Sequence, residues 1–276
     1  RLARRVHGEF DAVLVGYPGH FDVIALRRAL PDTPLILNPL VSLSDTLVGD
    51  RARFGAQSLP ARTLRAVDRR AFAAADVVVA DTSAHAEYFS SLGARRVEVV
   101  PVGAEERIFH PPWQPAAEPR VLFVGKLIPL HGIETILDAG RSLPDVHFRL
   151  IGEGQLGDKL HGRSENVEWV PWVDYELLGD EYRGAACALG IFGTSPKAAR
   201  VIPNKAYQAL ACGTPLVTSD TPATRELLVD GESAQLVPAG DASALADTIR
   251  RLLADDEVRR RIAGGGAAAY RQHASE

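Results

Sequence analysis

The stretch Arg120-Val-Leu-Phe-Val-Gly-Lys-Leu-Ile-Pro-Leu-His-Gly132 reads as a strand, a glycine-bounded loop and the start of a helix. Its first five residues form an apolar run of the kind buried on both faces in a parallel sheet. Gly125 and Gly132 then bracket a loop carrying Lys126 and His131, and a helical pattern follows. Gly125 and Gly132 allow close backbone approach, and the next helix offers unpaired N–H groups. Lys126 and His131 would therefore face an anion, for which a diphosphate is suited. An ordinary βα turn with a solvated lysine is the alternative for this loop alone.

The same alternation extends in both directions and predicts an α/β fold with parallel sheets. Toward the C-terminus it gives strands at Val146–Ile151, Val167–Val170, Ala186–Phe192, Pro215–Thr218 and Ala234–Val237. Helices are expected at Tyr175–Tyr182, Pro203–Ala211, Ala223–Leu228 and Ala242–Ala254, which completes a doubly wound domain over 120–255. A C-terminal helical segment, 256–276, follows. Toward the N-terminus only four strands are expected, at Asp11–Gly16, Pro34–Asn38, Asp76–Asp81 and Val97–Val102, so residues 1–110 read as an incomplete domain. Pro111, Pro112, Pro115 and Pro119 forbid regular structure between the two and predict a linker over 111–119. Open parallel sheets bind ligands beyond the carboxyl ends of their strands, so two such domains would share a cleft.

Composition narrows the function. The 276 residues are 46% hydrophobic and 24% charged with a net charge of -4, which suits a soluble globular protein and removes the electrostatic case for nucleic acid. No apolar run approaches the ~20 residues that span a bilayer. Cys187 and Cys212 lie in small apolar contexts and read as buried free thiols, in keeping with a cytoplasmic location. The formal G-x-G-x-x-G at Gly152–Gly157 follows the second strand of its domain, where a dinucleotide fingerprint does not belong, and reads as a tight turn.

A second anion-receptive segment is Thr194-Ser-Pro-Lys-Ala-Ala-Arg-Val-Ile-Pro-Asn-Lys-Ala-Tyr-Gln-Ala-Leu-Ala-Cys-Gly-Thr-Pro215. Pro203 reads as the first helical residue and Gly213 as the stop, with Lys205 and Gln208 on one helix face. Only Lys126, Lys159, Lys197 and Lys205 are lysines among 31 basic residues, and three of them fall in the two phosphate-receptive loops. That distribution suggests a demand there for a compact ammonium.

Taken with Ile151-Gly-Glu-Gly154, Pro203 to Val217 and Arg225-Glu226-Leu-Leu-Val-Asp-Gly231, these loops resemble the donor-binding half of glycosyltransferase family 4. The resemblance implies the GT-B fold of two Rossmann-like domains, the first incomplete here, and transfer of a sugar from a nucleotide diphosphate with retention of configuration. It implies that Gly125, His131, Gly132, Arg200, Asn204, Gln208 and Glu226 bind the donor, with Lys126 and Lys205 stabilising the leaving group. The family has Arg at the position of Lys126, Lys at that of His131, and paired glutamates where this chain has Arg200 and Gln208. Gln208 can still hydrogen-bond ribose hydroxyls, whereas Arg200 alters the charge beside the donor sugar.

In the first domain the family's active-site histidine aligns with Gly16, and His20 lies four residues on at the same strand end. His20 is read either as a catalytic cleft residue or as a structural histidine. The turn-rich Asn38–Thr46 loop is a candidate acceptor contact. Six arginines fall between Arg51 and Arg70, and Arg62, Arg65 and Arg69 lie opposite Leu64, Val67 and Ala71. Such a helix either touches anionic lipid, as a lipid-linked acceptor would suit, or presents a solvated face.

No paired carboxylates suit a double displacement, and no Asp-x-Asp cluster suits a metal-bound diphosphate. The expectation is a metal-independent, cofactor-free transferase acting on a glycan or lipid-linked acceptor, in the cytoplasm and with possible membrane contact through Arg51–Arg70. A nucleotide-sugar-binding protein without transfer, or a nucleotide-sugar epimerase of the same plan, are the competing readings. The chain has no methionine, and against the family pattern its amphipathic Arg1–Phe10 leads directly into an internal strand. A fragment lacking the front of the acceptor domain is expected on that ground, with Tyr270–Glu276 stopping short of the returning helix.

Overall fold

A computed structural model describes residues 10–275, so the expected stretch before Phe10 lies outside the described residues. The chain divides into two compact units, 1–101 and 102–276. In the first, strands β1 (Val13–Val15), β2 (Leu35–Leu37), β3 (Val77–Ala80) and β4 (Val97–Val99) form a four-stranded parallel sheet in that order. Helices α1 (His20–Ala29), α2 (Leu59–Ala74) and α3 (Ser83–Ser91) connect them. The apolar runs become strands because their side chains close on Val23, Phe72 and Phe89, with Phe72 stacked on Phe89 at 4.8 Å. The expected acceptor loop is partly helical, since Asp45–Asp50 forms a π-helical turn.

The second unit begins ahead of the proline-rich stretch. Its strands are β5 (Arg120–Val124), β6 (His147–Ile151), β7 (Val167–Val170), β8 (Cys187–Leu189), β9 (Leu216–Ser219) and β10 (Gln235–Val237). All run parallel in the order β10-β9-β8-β5-β6-β7. The helices are α4 (Ile133–Arg141), α5 (Leu178–Gly184), α6 (Asn204–Cys212), α7 (Thr224–Leu227), α8 (Ala242–Ala254) and α9 (Asp256–His273). Phe123, Phe148, Leu150 and Leu189 of the sheet pack with Ile133 and Ile136 of α4 and Leu245 and Ile249 of α8 in one core cluster.

The expected linker is irregular, as its prolines require, yet it belongs to this unit. Trp113 Nε1 donates to the Ala185 carbonyl at 2.7 Å, and the Gln114 and Ala116 amides donate to Arg183 and Gly184. Upstream, the Tyr270 hydroxyl of α9 accepts from the Ala104 amide at 3.1 Å. These bonds place the division at Pro101 and Val102 instead of within 111–119.

Strand order matters for function. β5 has β6 on one flank and β8 on the other, so the connections leaving its carboxyl end and that of β8 part in opposite directions. This is the topological switch point, where doubly wound sheets open a crevice.

Candidate functional site

At that crevice the β5 loop has the shape its glycines predict. Gly125 has φ +152°, and Gly132, with φ +64°, caps α4 after a 3-10 turn over Pro129–His131. A Cβ on Gly132 would stand 2.5 Å from the Phe192 carbonyl carbon, so the loop packs backbone to backbone against the connection leaving β8. Gly132→Ala should therefore cost about 2–4 kcal/mol through strain and overpacking, read as a lower urea midpoint for the second unit. The glycines of the G-x-G-x-x-G stretch act similarly: Gly152 and Gly154 sit against the Gly125 and Leu127 backbones, and the Leu127 amide donates to the Glu153 carbonyl at 3.0 Å. That is the tight turn expected of it.

The His131 ring turns inward. Its Nδ1 bonds the Lys126 carbonyl, and the ring meets Phe123 edge-on at 5.8 Å. Its visible role is to hold the loop that presents Lys126, whose own side chain is exposed.

Lys205 comes from the first turn of α6, just after Pro203, which takes an extended conformation at the N-cap instead of opening the helix. Pro203 thus lies one residue outside the expected position. The Lys205 side chain is buried, with Nζ 4.1 Å from the Phe123 ring centroid and no hydrogen-bond partner. A Cβ on Gly125 would lie 2.5 Å from that Nζ, so the missing side chain at Gly125 is what admits the ammonium beneath the loop. Burial pulls its pKa well below the ordinary lysine value. A desolvated ammonium under a glycine loop at a sheet switch point is arranged to receive an anion.

Beside it opens a cavity of about 330 Å³, lined by the ends of β5 and β6 and by Pro171, Trp172, Val173, Tyr175 and Leu178. Trp172 is 76% exposed at its rim. Gln208 belongs to the same neighbourhood: its Oε1 accepts from the Tyr182 hydroxyl at 3.2 Å, and it hydrogen-bonds Tyr175. The aromatic rim lies outside the expected set, although Trp172 comes two residues after the carboxyl end of β7, where ligands sit.

Of the expected residues, Gly125 and Lys126 line this cavity, Lys205 and His131 lie against Gly125, Gln208 bonds Tyr175 of the cavity wall, and Gly132 closes the loop against Phe192. Asn204 is exposed at the start of α6, Arg200 is half-buried on the 3-10 turn Ala198–Arg200, and Glu226 is exposed on α7. His20 opens α1. Its ring is fully buried in the first unit, with Nε2 3.7 Å from Asp68 Oδ1 and Phe72 edge-on at 5.9 Å. Cys187 and Cys212 are buried free thiols, each pushed up to about 12 by burial. Among the described residues no helix is long and apolar enough to cross a membrane.

Residues 118–255 match the family model described as "Glycosyl transferases group 1". The chain is 36% identical over 197 residues to a phosphatidyl-myo-inositol mannosyltransferase of Mycobacterium leprae, covering 66% of this chain and 51% of that relative. It is 31% identical to a D-inositol 3-phosphate glycosyltransferase of Xylanimonas cellulosilytica, covering 74% and 55% respectively. The chain thus spans about half the length of these relatives. Among solved structures, sucrose-phosphate synthase from Thermosynechococcus elongatus superposes with a TM-score of 0.77 at 21% identity, over 96% of this chain and 70% of that one. Anabaena HepE in complex with UDP also gives 0.77, at 19% identity over 99% and 77%. These likenesses show the fold, two parallel α/β sheets, that the repeating pattern predicts.

Proposed function

Because the chain belongs to the glycosyl transferases group 1 family, we propose that it serves transfer of a sugar from a nucleotide diphosphate sugar to an acceptor hydroxyl. In this reading the transfer retains anomeric configuration and needs no metal, and the nucleotide sugar is a co-substrate in place of a resident cofactor. The observation that carries the reading is the buried, unpartnered Lys205 ammonium beneath Gly125, beside an apolar cavity.

The parts divide by chemistry. The base lies in the apolar slot of Val124, Val173 and Leu178 under the Trp172 rim, and the diphosphate lies against Gly125, Lys126 and Lys205. Gln208 and Tyr175 reach the ribose hydroxyls. As the bond from the sugar C1 to the diphosphate oxygen breaks, Lys126 and Lys205 neutralise the charge left on the nucleotide. The acceptor oxygen bonds C1 on the same face and gives its proton to the departing diphosphate oxygen, so no protein nucleophile is required. His20, buried beside Asp68, takes no part. The names of the mycobacterial and Xylanimonas relatives join a glycosyl group to inositol phosphates, and the acceptor here is read as a glycan or a lipid-linked molecule.

UDP or GDP should raise the melting temperature of the second unit. At a hundred times Kd the stabilisation is about 2.7 kcal/mol, or roughly 5–10 °C for a unit of this size. A shift with neither nucleotide would refute the donor site. Transfer of label from a bound donor to an acceptor then separates a transferase from a nucleotide-sugar binder.

A further inference from the structure

We propose that the turn Glu105–His110 positions the ribose-reading end of the nucleotide cavity, with Arg107, held on Glu176, and Phe109 fixing Tyr175 and, through it, Gln208. The inference deepens the reading of a nucleotide site and rests on it, since that reading gives the ribose hydroxyls to Tyr175 and Gln208. Arg107 and Phe109 act here through other residues: Tyr175 lines the cavity, and they do not.

Two tyrosines share Gln208. Its Oε1 accepts from the Tyr182 hydroxyl at 3.2 Å, and its side chain also hydrogen-bonds Tyr175. The two are unequally held. Tyr182 is buried within α5, whereas Tyr175 opens the three-residue 3-10 turn Tyr175–Leu177 and is 44% exposed. So short a turn fixes little by its own hydrogen bonds, and the direction of the Tyr175 ring has to be set from outside it.

The turn Glu105–His110 does so from two sides. Phe109, fully buried, meets Tyr175 edge-on at 5.6 Å and Tyr182 edge-on at 5.8 Å. On the solvent side Arg107 Nη1 and Nη2 donate to the two carboxylate oxygens of Glu176 at 2.7 and 2.8 Å. Arg107 Nε and Nη2 also donate to Glu105 Oε1, at 3.1 and 2.8 Å, which steadies the fork. Tyr175 and Leu178 line the cavity, and Glu176, between them in the chain, is turned to Arg107.

The turn is itself fastened. The Ile108 and Phe109 amides donate to the Glu105 carbonyl at 2.9 Å, and Arg183 Nη1 of α5 donates to the Ile108 and His110 carbonyls at 3.1 and 3.2 Å. A Cβ on Gly179 would stand 2.1 Å from the Ile108 oxygen, so α5 lies directly against this backbone. An ion pair as exposed as Arg107–Glu176, at 64% and 61%, adds little to stability. Its forked geometry sets a direction instead, and the element it directs is the one that carries Tyr175.

The test is calorimetric titration with UDP and GDP and with their 2′-deoxy and 3′-deoxy forms. The parent should bind one ribonucleotide more tightly than a deoxy form of it, by roughly 3- to 10-fold for one hydrogen bond. In Arg107→Met the ribonucleotide should bind about 3- to 5-fold more weakly and the deoxy form as in the parent, so that the preference shrinks. Joint exchange by Arg107→Glu and Glu176→Arg should restore it, and the melting temperature should stay parental in both variants. The clip is also read without nucleotide: the Leu177 and Leu178 amides, whose bonds to the Asp174 and Tyr175 carbonyls close the 3-10 turn, should exchange hydrogen faster in Arg107→Met. An undiminished ribose preference in Arg107→Met overturns the proposal, as do equal weakening of both forms, failure of the exchanged pair to rescue, or parental amide exchange. A parent that binds a ribonucleotide and its deoxy forms equally overturns the proposal and leaves the nucleotide site standing. A parent that binds no nucleotide refutes the donor site and the proposal with it.

Discussion

Replacing Lys205 with methionine is expected to remove most of the nucleotide-induced thermal shift and, at the same time, to raise the melting temperature of the free protein. The two effects share one cause. The Lys205 ammonium is buried over the Phe123 ring with no hydrogen-bond partner, so the free protein carries the cost of a charge without its solvation. Methionine keeps the length of the stem and fills the same space without that charge. A charge-assisted contact to diphosphate is worth about 1.5–3 kcal/mol, so its loss should weaken nucleotide binding roughly 10- to 100-fold. The pH dependence has an opposed sign for stability and for binding. The folded pKa of Lys205 lies well below its ordinary value of 10.5, so the unfolded chain holds the proton more tightly, and stability rises with pH between those two values. A bound diphosphate raises the folded pKa again. Affinity is therefore greatest below the free-state pKa and falls as pH rises above it. Both trends should vanish in Lys205→Met, which melting and calorimetric titration across pH can follow. A variant with the parental nucleotide shift would show that the anion does not reach Lys205.

That this lysine is buried beneath the β5 loop is only half legible in the amino-acid order. Spacing places Lys205 and Gln208 on one face of α6, and Gly125, Gly132 and Gly213 mark the turns where the backbone does take positive φ. Local pattern does not say which neighbour a helix face meets. The burial of Lys205 depends on α6 following β8, which pairs with β5 and brings the helix start beneath the β5 loop. Lys126 and Lys205 look alike as residues beside glycine or proline, yet one is exposed and the other buried. His20 shows the opposite limit. A histidine at a strand end has the position of a site residue, and only the packing of α2 across it reveals a buried ring. A different signal was present on α2 itself. Asp68 falls in the apolar stripe of Leu64, Val67 and Ala71, and a carboxylate in a buried stripe requires dedicated partners.

Those partners make Asp68→Ala the other change with a large expected effect, and one confined to the first unit. The buried carboxylate accepts from Ser42 Oγ at 2.7 Å, from the Ser44 amide at 2.9 Å and from the Leu43 amide at 3.0 Å. It therefore pins the turn that leaves the carboxyl end of β2 to the middle of α2. Removing it takes the acceptor from three donors, two of them buried, at about 1–3 kcal/mol each before water enters, so a net loss of about 3–5 kcal/mol is expected. In a four-stranded unit that loss is comparable to the whole stability of a small domain. The first unit should then melt well below the second, whose nucleotide shift stays intact, whereas Ser42→Ala should cost about 1 kcal/mol because two of the bonds survive. His20 adds a pH signature. Burial lowers its pKa below 6.5, with Asp68 opposing that shift, so the unfolded chain binds the proton first and the first unit loses stability as pH falls below about 6.5. Without Asp68 the opposing charge is gone and the loss at low pH should steepen. A first unit that melts in Asp68→Ala as it does in Ser42→Ala would mean that the turn holds itself, and that the carboxylate only fills space beside His20.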